Sequence, residues 1–171
     1  RALAAGPPLE RTVVLNINGA EEQGLLGAEG FLQHDWAGDV TVFVDLESAG
    51  PGGKAALFQV GPGAAWLARA YARPAPYPHG TVIGQDIFQS GAIPSSSDFA
   101  VYRDAGLVGL DVPFYEDGWS YHTTRDRSWN VDPGSVQHMG ANAPALVREL
   151  ASTSRPEAAL GGGPPSVYYD L

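Results

Sequence analysis

The chain has 171 residues and no cysteine, with 44% hydrophobic residues, 17% charged residues and a formal net charge of −9. This length suits one domain with a sizeable core. The lack of cysteine excludes disulfides, thiolate metal sites and cysteine nucleophiles, and the acidic balance argues against nucleic acid as a partner.

Glycine (22) and proline (14) are abundant, so loops take up much of the chain. No stretch is apolar for the length a bilayer requires, and no signal peptide is visible. The first residue is Arg1, so the sequence reads as a piece of something longer.

Residues 1–10 read as an exposed approach. Thr12-Val13-Val14-Leu15-Asn16-Ile17 is short and β-branched, which predicts a buried strand. The turn Asn18-Gly19-Ala20-Glu21-Glu22 follows, and a helix is expected over 24–34. Residues 40–46 predict a strand apolar enough to be covered on both faces. It ends at Glu47 and a glycine-rich loop. Residues 55–60 predict a third strand and 64–72 a helix.

Beyond a proline-rich loop, 82–88 reads as a short ordered piece, 99–105 as a helix and 107–114 as a strand. A polar and aromatic loop fills 115–130. Asp132-Pro133 is a cap followed by a proline suited to a first turn. Val136, Met139, Ala143, Leu146, Val147 and Leu150 then give the last helix an apolar face, with a kink expected at Pro144. Residues 161–165 read as a linker. The alternation of elements predicts an α/β fold with a mostly parallel sheet sandwiched by helices. Residues 1–153 form a partial domain and 154–171 a linker.

Glu21 and Glu22 follow a strand end, the crevice where open α/β sheets bind ligands. Two adjacent carboxylates there suit a metal ligand beside a proton carrier; a capping pair in a first helical turn is the alternative. Glu47 repeats the position after a second strand, and His122 follows a third. Oxygen and imidazole donors of this kind suit zinc, and an extra carboxylate suits a base that deprotonates water.

The motifs Asn18-Gly19-Ala20-Glu21-Glu22-x-x-Leu25-Leu26-Gly27, Asp45-Leu46-Glu47-Ser48-Ala49-Gly50, Ser97-Asp98-Phe99 and Tyr121-His122-Thr123 resemble the di-zinc exopeptidases, family twenty-eight of the metallopeptidases. Glu at position 47 and the stretch from Gln85 to Ser95 resemble the endoplasmic reticulum metallopeptidase branch and its fungal vacuolar relatives. The resemblance covers roughly residues 11–171. It implies a zinc-exopeptidase (phosphorylase/hydrolase-like) fold, a peptide substrate and two Zn2+ ions. It makes Glu21 the general base, Glu22 and His122 ligands of one zinc, and Glu47 a ligand of the other. Tyr121 is a candidate oxyanion donor or a packing residue, and Asp98 a candidate substrate contact.

The family's pattern begins with a His-x-Asp segment and a bridging Asp upstream of the Glu-Glu turn, and this chain starts beyond both. The N-terminal strands are therefore expected to be missing and supplied by another segment or chain, and the isolated chain to be inactive. The resemblance also implies a parent protein tethered in the endoplasmic reticulum or vacuolar membrane with this domain facing the lumen. Tyr168-Tyr169 would then approach the membrane interface. A glutaminyl cyclase-like single-zinc enzyme and a non-catalytic ectodomain are the competing functions.

Overall fold

The computed structural model describes residues 3–92, 96–152 and 167–169. Strands β1 (Val42–Asp45), β2 (Gln59–Val60) and β3 (Val108–Asp111) form a sheet in the order β1-β3-β2. The helices are α1 (Leu26–Leu32), α2 (Ala65–Ala72), α3 (Val82–Gln89), α4 (Asp98–Asp104) and α5 (Pro133–Ser152).

β1 runs parallel to β3, with Asp45 opposite Asp111, whereas β2 is antiparallel to β3. The fold is α/β as expected, but the small sheet is mixed rather than mostly parallel. The connection from β1 to β2 contains no helix, whereas parallel strands are usually joined by a helical crossover.

Val42 and Val44 pack against a core of Leu57, Val60, Leu67, Leu110 and Leu146, to which α2 and α5 contribute. Phe43 lies between them and meets the rings of Phe99 and Tyr102 on α4, at centroid distances of 5.5 and 5.2 Å. Alternate residues of β1 thus serve different helices, the period of a strand.

The last helix starts where its cap predicts, with the Gly134 N–H donating to Asp132 Oδ1 at 2.9 Å. It continues through Pro144, where one i→i−4 bond is necessarily absent. Its inner face begins at the buried Ser135, and its apolar packing starts at Met139 and not Val136, which is 54% exposed. Asn142 is buried on that face, but its amide donates to Tyr77 O (2.8 Å) and accepts from Tyr77 N–H (3.0 Å). Both ends of this buried amide are therefore satisfied.

The stretch 12–17 is not a strand. It forms no ladder among the described residues, and Leu15 and Ile17 are 77% and 94% exposed. A β-branched run pairs only where an edge is available, because its backbone groups need partners. The third strand is likewise shorter than expected. Ala55 and Ala56 are buried, yet regular pairing is confined to Gln59–Val60, with an isolated bridge from Leu57 to Gly80. The helix expected over 24–34 is α1 alone, followed by a 3-10 turn at Asp35–Asp39.

The linker at 161–165, the boundary at 154 and Ile93 to Ser95 lie outside the described residues. The Tyr168 hydroxyl donates to Phe58 O at 3.0 Å, so that ring docks on the domain; Tyr169 is exposed. Among the described residues, no helix is long and apolar enough to cross a membrane.

Candidate metal centre

The Glu21–Glu22 turn is knotted by its own backbone. The N–H groups of Gly24 and Leu25 both donate to Glu21 O, at 3.0 and 2.8 Å, and Leu26 N–H donates to Ala20 O at 3.2 Å. Ala20 and Leu25 bracket the turn at φ 61° and 62°. These left-handed conformations cost a residue with a Cβ about 1–2 kcal/mol each, and the surrounding packing must hold them. Gly27 contributes by being small, since a Cβ there would run into the Gly19 carbonyl oxygen.

His122 sits on a second knotted loop, also left-handed at φ 59°. Ser120, 1% exposed, donates from its hydroxyl to Asp117 O at 3.1 Å, and Thr123 Oγ1 donates to Ser120 O at 2.6 Å. The two loops meet, with His122 Nε2 2.5 Å from Glu22 Oε2 across 100 residues of sequence. Tyr121 stacks on His122 at a centroid distance of 3.8 Å.

Glu47 leaves the end of β1, where a Ser48–Phe114 bridge prolongs the parallel pairing with the β3 side. Its carboxylate gathers with those of Asp45 and Asp98, one oxygen from each lying within 4.8 Å of the others. Asp98 is 6% exposed; its Oδ2 accepts from Asn18 Nδ2 at 2.6 Å, and its Oδ1 is buried without a hydrogen-bond partner.

Crowding of like charges in a dry place sets the electrostatics. Burial, then Asp45, Glu21 and Asp98, push Glu47 up to about 8, against the pull of the Ser48 backbone N–H. Burial, then Asp111 and Asp98, push Asp45 up to about 8, opposed by hydrogen bonds from Phe99 N–H and Ser97. Glu21 is raised by burial, Glu22 and Asp98 and lowered by His122. Tyr121 is pushed up to about 12 by burial, by the Glu22 and Glu21 charges, by a hydrogen bond to Glu22 and by Glu47. Its hydroxyl remains a donor throughout the neutral range.

The residues present fit a divalent cation. Carboxyls forced together need either protons or a positive ion between them. Tetrahedral zinc with bonds of about 2.0–2.1 Å spaces its ligand atoms about 3.3 Å apart, so Glu22 and His122 would have to separate by less than 1 Å.

The structure therefore brings Glu22 to His122, places Glu47 with Asp98, and puts Glu21 and Tyr121 within the influence of both groups. Two residues escaped the sequence reading. Asp45 lies two positions before Glu47, and same-face alternation along a strand end was the available signal. Asp111 faces Asp45 only through the parallel register, which no local pattern reveals. A surface depression of about 700 Å3 at Ser128, Val131, Pro133 and Val136 contains none of these residues.

The model of Peptidase family M28 matches residues 1–147. Among curated proteins, endoplasmic reticulum metallopeptidase 1 of Rattus norvegicus is 44% identical over 156 residues, 90% of this chain and 17% of that one. The Homo sapiens protein of the same name is 43% identical over 147 residues, 85% of this chain and 16% of its own length. The vacuolar membrane protease of Schizosaccharomyces pombe is 40% identical over 147 residues, 85% of this chain and 17% of that one. The chain thus spans 16–17% of the length of these relatives. No solved structure matches.

Proposed function

The chain belongs to peptidase family M28, and from that premise we propose that the parent protein is a zinc-dependent exopeptidase of the aminopeptidase kind. The observation that carries this reading is the meeting of Glu22 Oε2 and His122 Nε2 at 2.5 Å, with Glu21 beside Glu22. Glu22 and His122 would hold one zinc ion and Glu47 would contribute to a second. When bound, zinc supplies a Lewis acid that polarises the scissile carbonyl and lowers the pKa of water.

The chain's own residues then handle the protons. Glu21 accepts one from the attacking water as its oxygen bonds to the carbonyl carbon. It returns the proton to the amine nitrogen as the C–N bond breaks. Tyr121, protonated at neutral pH, is the donor suited to the developing oxyanion.

The relatives' names extend the reading to place. A protein similar to endoplasmic reticulum metallopeptidases and a vacuolar membrane protease is proposed to sit in such a membrane, with this domain in the lumen.

The experiment is a peptide panel incubated with full-length protein, before and after metal stripping and zinc return. The expected result is stepwise release of N-terminal residues that stops on stripping and resumes with zinc. Pyroglutamate formation without hydrolysis would assign the cyclase chemistry. No turnover by zinc-loaded protein would make this a non-catalytic ectodomain.

A further inference from the structure

The segment carrying Glu21 and Glu22 has no ladder among the described residues, so something else must fix that turn against Glu47. Two asparagines reach from it to α4. Asn16 Nδ2 donates to the Tyr102 hydroxyl at 2.9 Å, and Asn18 Nδ2 donates to Asp98 Oδ2 at 2.6 Å. Both acceptors are buried, Asp98 at 6% and Tyr102 at 7% exposure, whereas Ile17 between the donors is 94% exposed.

The spacings of the two elements match. Residues two apart on an extended chain lie about 6.6 Å apart on one side. Residues four apart on a helix lie about 6 Å apart along its axis, one above the other. Asn16 and Asn18 can therefore meet Tyr102 and Asp98 simultaneously, with the segment running opposite to the helix.

The same first turn of α4 is tied to the other half of the site. Asp45 Oδ2 accepts from the Phe99 N–H at 2.8 Å, and Asp45 precedes Glu47 by two residues. One side of α4 thus grips the strand end that carries Glu47, and the other grips the turn that carries Glu21 and Glu22. We propose that Asn16–Tyr102 and Asn18–Asp98 form a two-rung clip, with Asn18 and Asp98 as positioning residues that set the base and the first metal ligand relative to Glu47.

This inference rests on the proposed zinc peptidase, so its test includes readouts that need no turnover. In full-length protein, Asn18→Ala removes one rung and Asp98→Asn keeps an acceptor. Asn18→Asp sets two carboxylates against each other. Combining Asn18→Asp with Asp98→Asn rebuilds the rung with its polarity reversed. Hydrogen exchange of residues 19–27 is followed in zinc-free protein, alongside zinc affinity and kcat and KM.

Asn18→Ala is expected to speed exchange in 19–27 about tenfold, leave α5 unchanged, and weaken zinc binding and kcat about tenfold with KM within about threefold. Asn18→Asp is expected to do worse, and the combined variant to recover to within about threefold of Asp98→Asn alone. Unchanged exchange in Asn18→Ala, or a combined variant no better than Asn18→Asp, would overturn the clip. Faster exchange with zinc affinity and kcat intact would overturn its positioning role. If the wild-type protein hydrolyses no peptide, the function reading fails, and exchange with zinc affinity still decides the clip.

Discussion

Asp111→Asn should stabilise the domain in alkaline solution and leave it unchanged in acid. Asp111 is 2% exposed; Oδ2 accepts from Gln59 Nε2 at 2.9 Å, and Oδ1 is buried with no hydrogen-bond partner. Burial is the main influence that pushes its carboxyl from 3.8 up to about 7, offset by the Gln59 bond and reinforced by Glu47. The sign follows from linkage. A raised carboxyl pKa means that between about 4 and 7 the folded chain holds a proton that the unfolded chain has released, so stability falls as pH rises through that window and levels off above it.

At 1.36 kcal/mol per pH unit, a shift of this size corresponds to at most about 4 kcal/mol, and relaxation around the site reduces it. The amide introduced by the substitution retains an oxygen acceptor for Gln59 and carries no charge to desolvate. Urea unfolding of the 1–171 chain at pH 4 and pH 8, wild type against variant, measures the difference. Equal midpoints at pH 4 and a higher midpoint for the variant at pH 8, with m unchanged, are expected. A variant destabilised by the same amount at both pH values would refute the reasoning, because the carboxylate would then contribute structure and not a desolvation cost.

Ala20→Gly should raise the thermal midpoint by relieving about 1 kcal/mol of left-handed strain; a lower midpoint would show that the Ala20 conformation is not strained. Leu146→Ala, at a position with 0% exposure, should cost about 2–5 kcal/mol in urea unfolding. Tyr168→Phe removes a hydroxyl that donates to Phe58 O and contacts Gln85 Oε1 at 3.2 Å, and should cost about 1 kcal/mol in the same assay.

Local chemistry was legible wherever the sequence carried its own boundary. Asp132-Pro133 marked the start of α5, and the glycine-rich loop after Glu47 marked the end of β1. The apolar runs at 40–46 and 107–114 do contain β1 and β3, because each finds the other in register. The run at 12–17 looked just as strand-like, yet its pairing depends on an edge that no residue within it encodes. Direction within the sheet was hidden for a related reason: β2 is antiparallel through its pairing with β3, a partner that no local pattern reveals. At the candidate site, Glu22, Glu47 and His122 were singled out because each was read as following a strand end; the run before Glu22 is not a strand, yet Glu22 still meets His122. Asp111 was invisible because its significance comes from standing opposite Asp45. The bond from the Tyr168 hydroxyl to Phe58 O was not legible either, because composition alone cannot show where a terminal aromatic docks.

The assignment of a base at Glu21 and ligands at Glu22 and His122 is tested most directly by zinc content and peptide turnover of full-length Glu21→Gln and Glu22→Gln. Glu21→Gln should retain zinc at the wild-type level while kcat falls by about 100-fold or more, because an amide cannot take the proton from water. Glu22→Gln should lose zinc. Equal loss of zinc in the two variants would contradict the account, since Glu21 would then be a ligand and not the base.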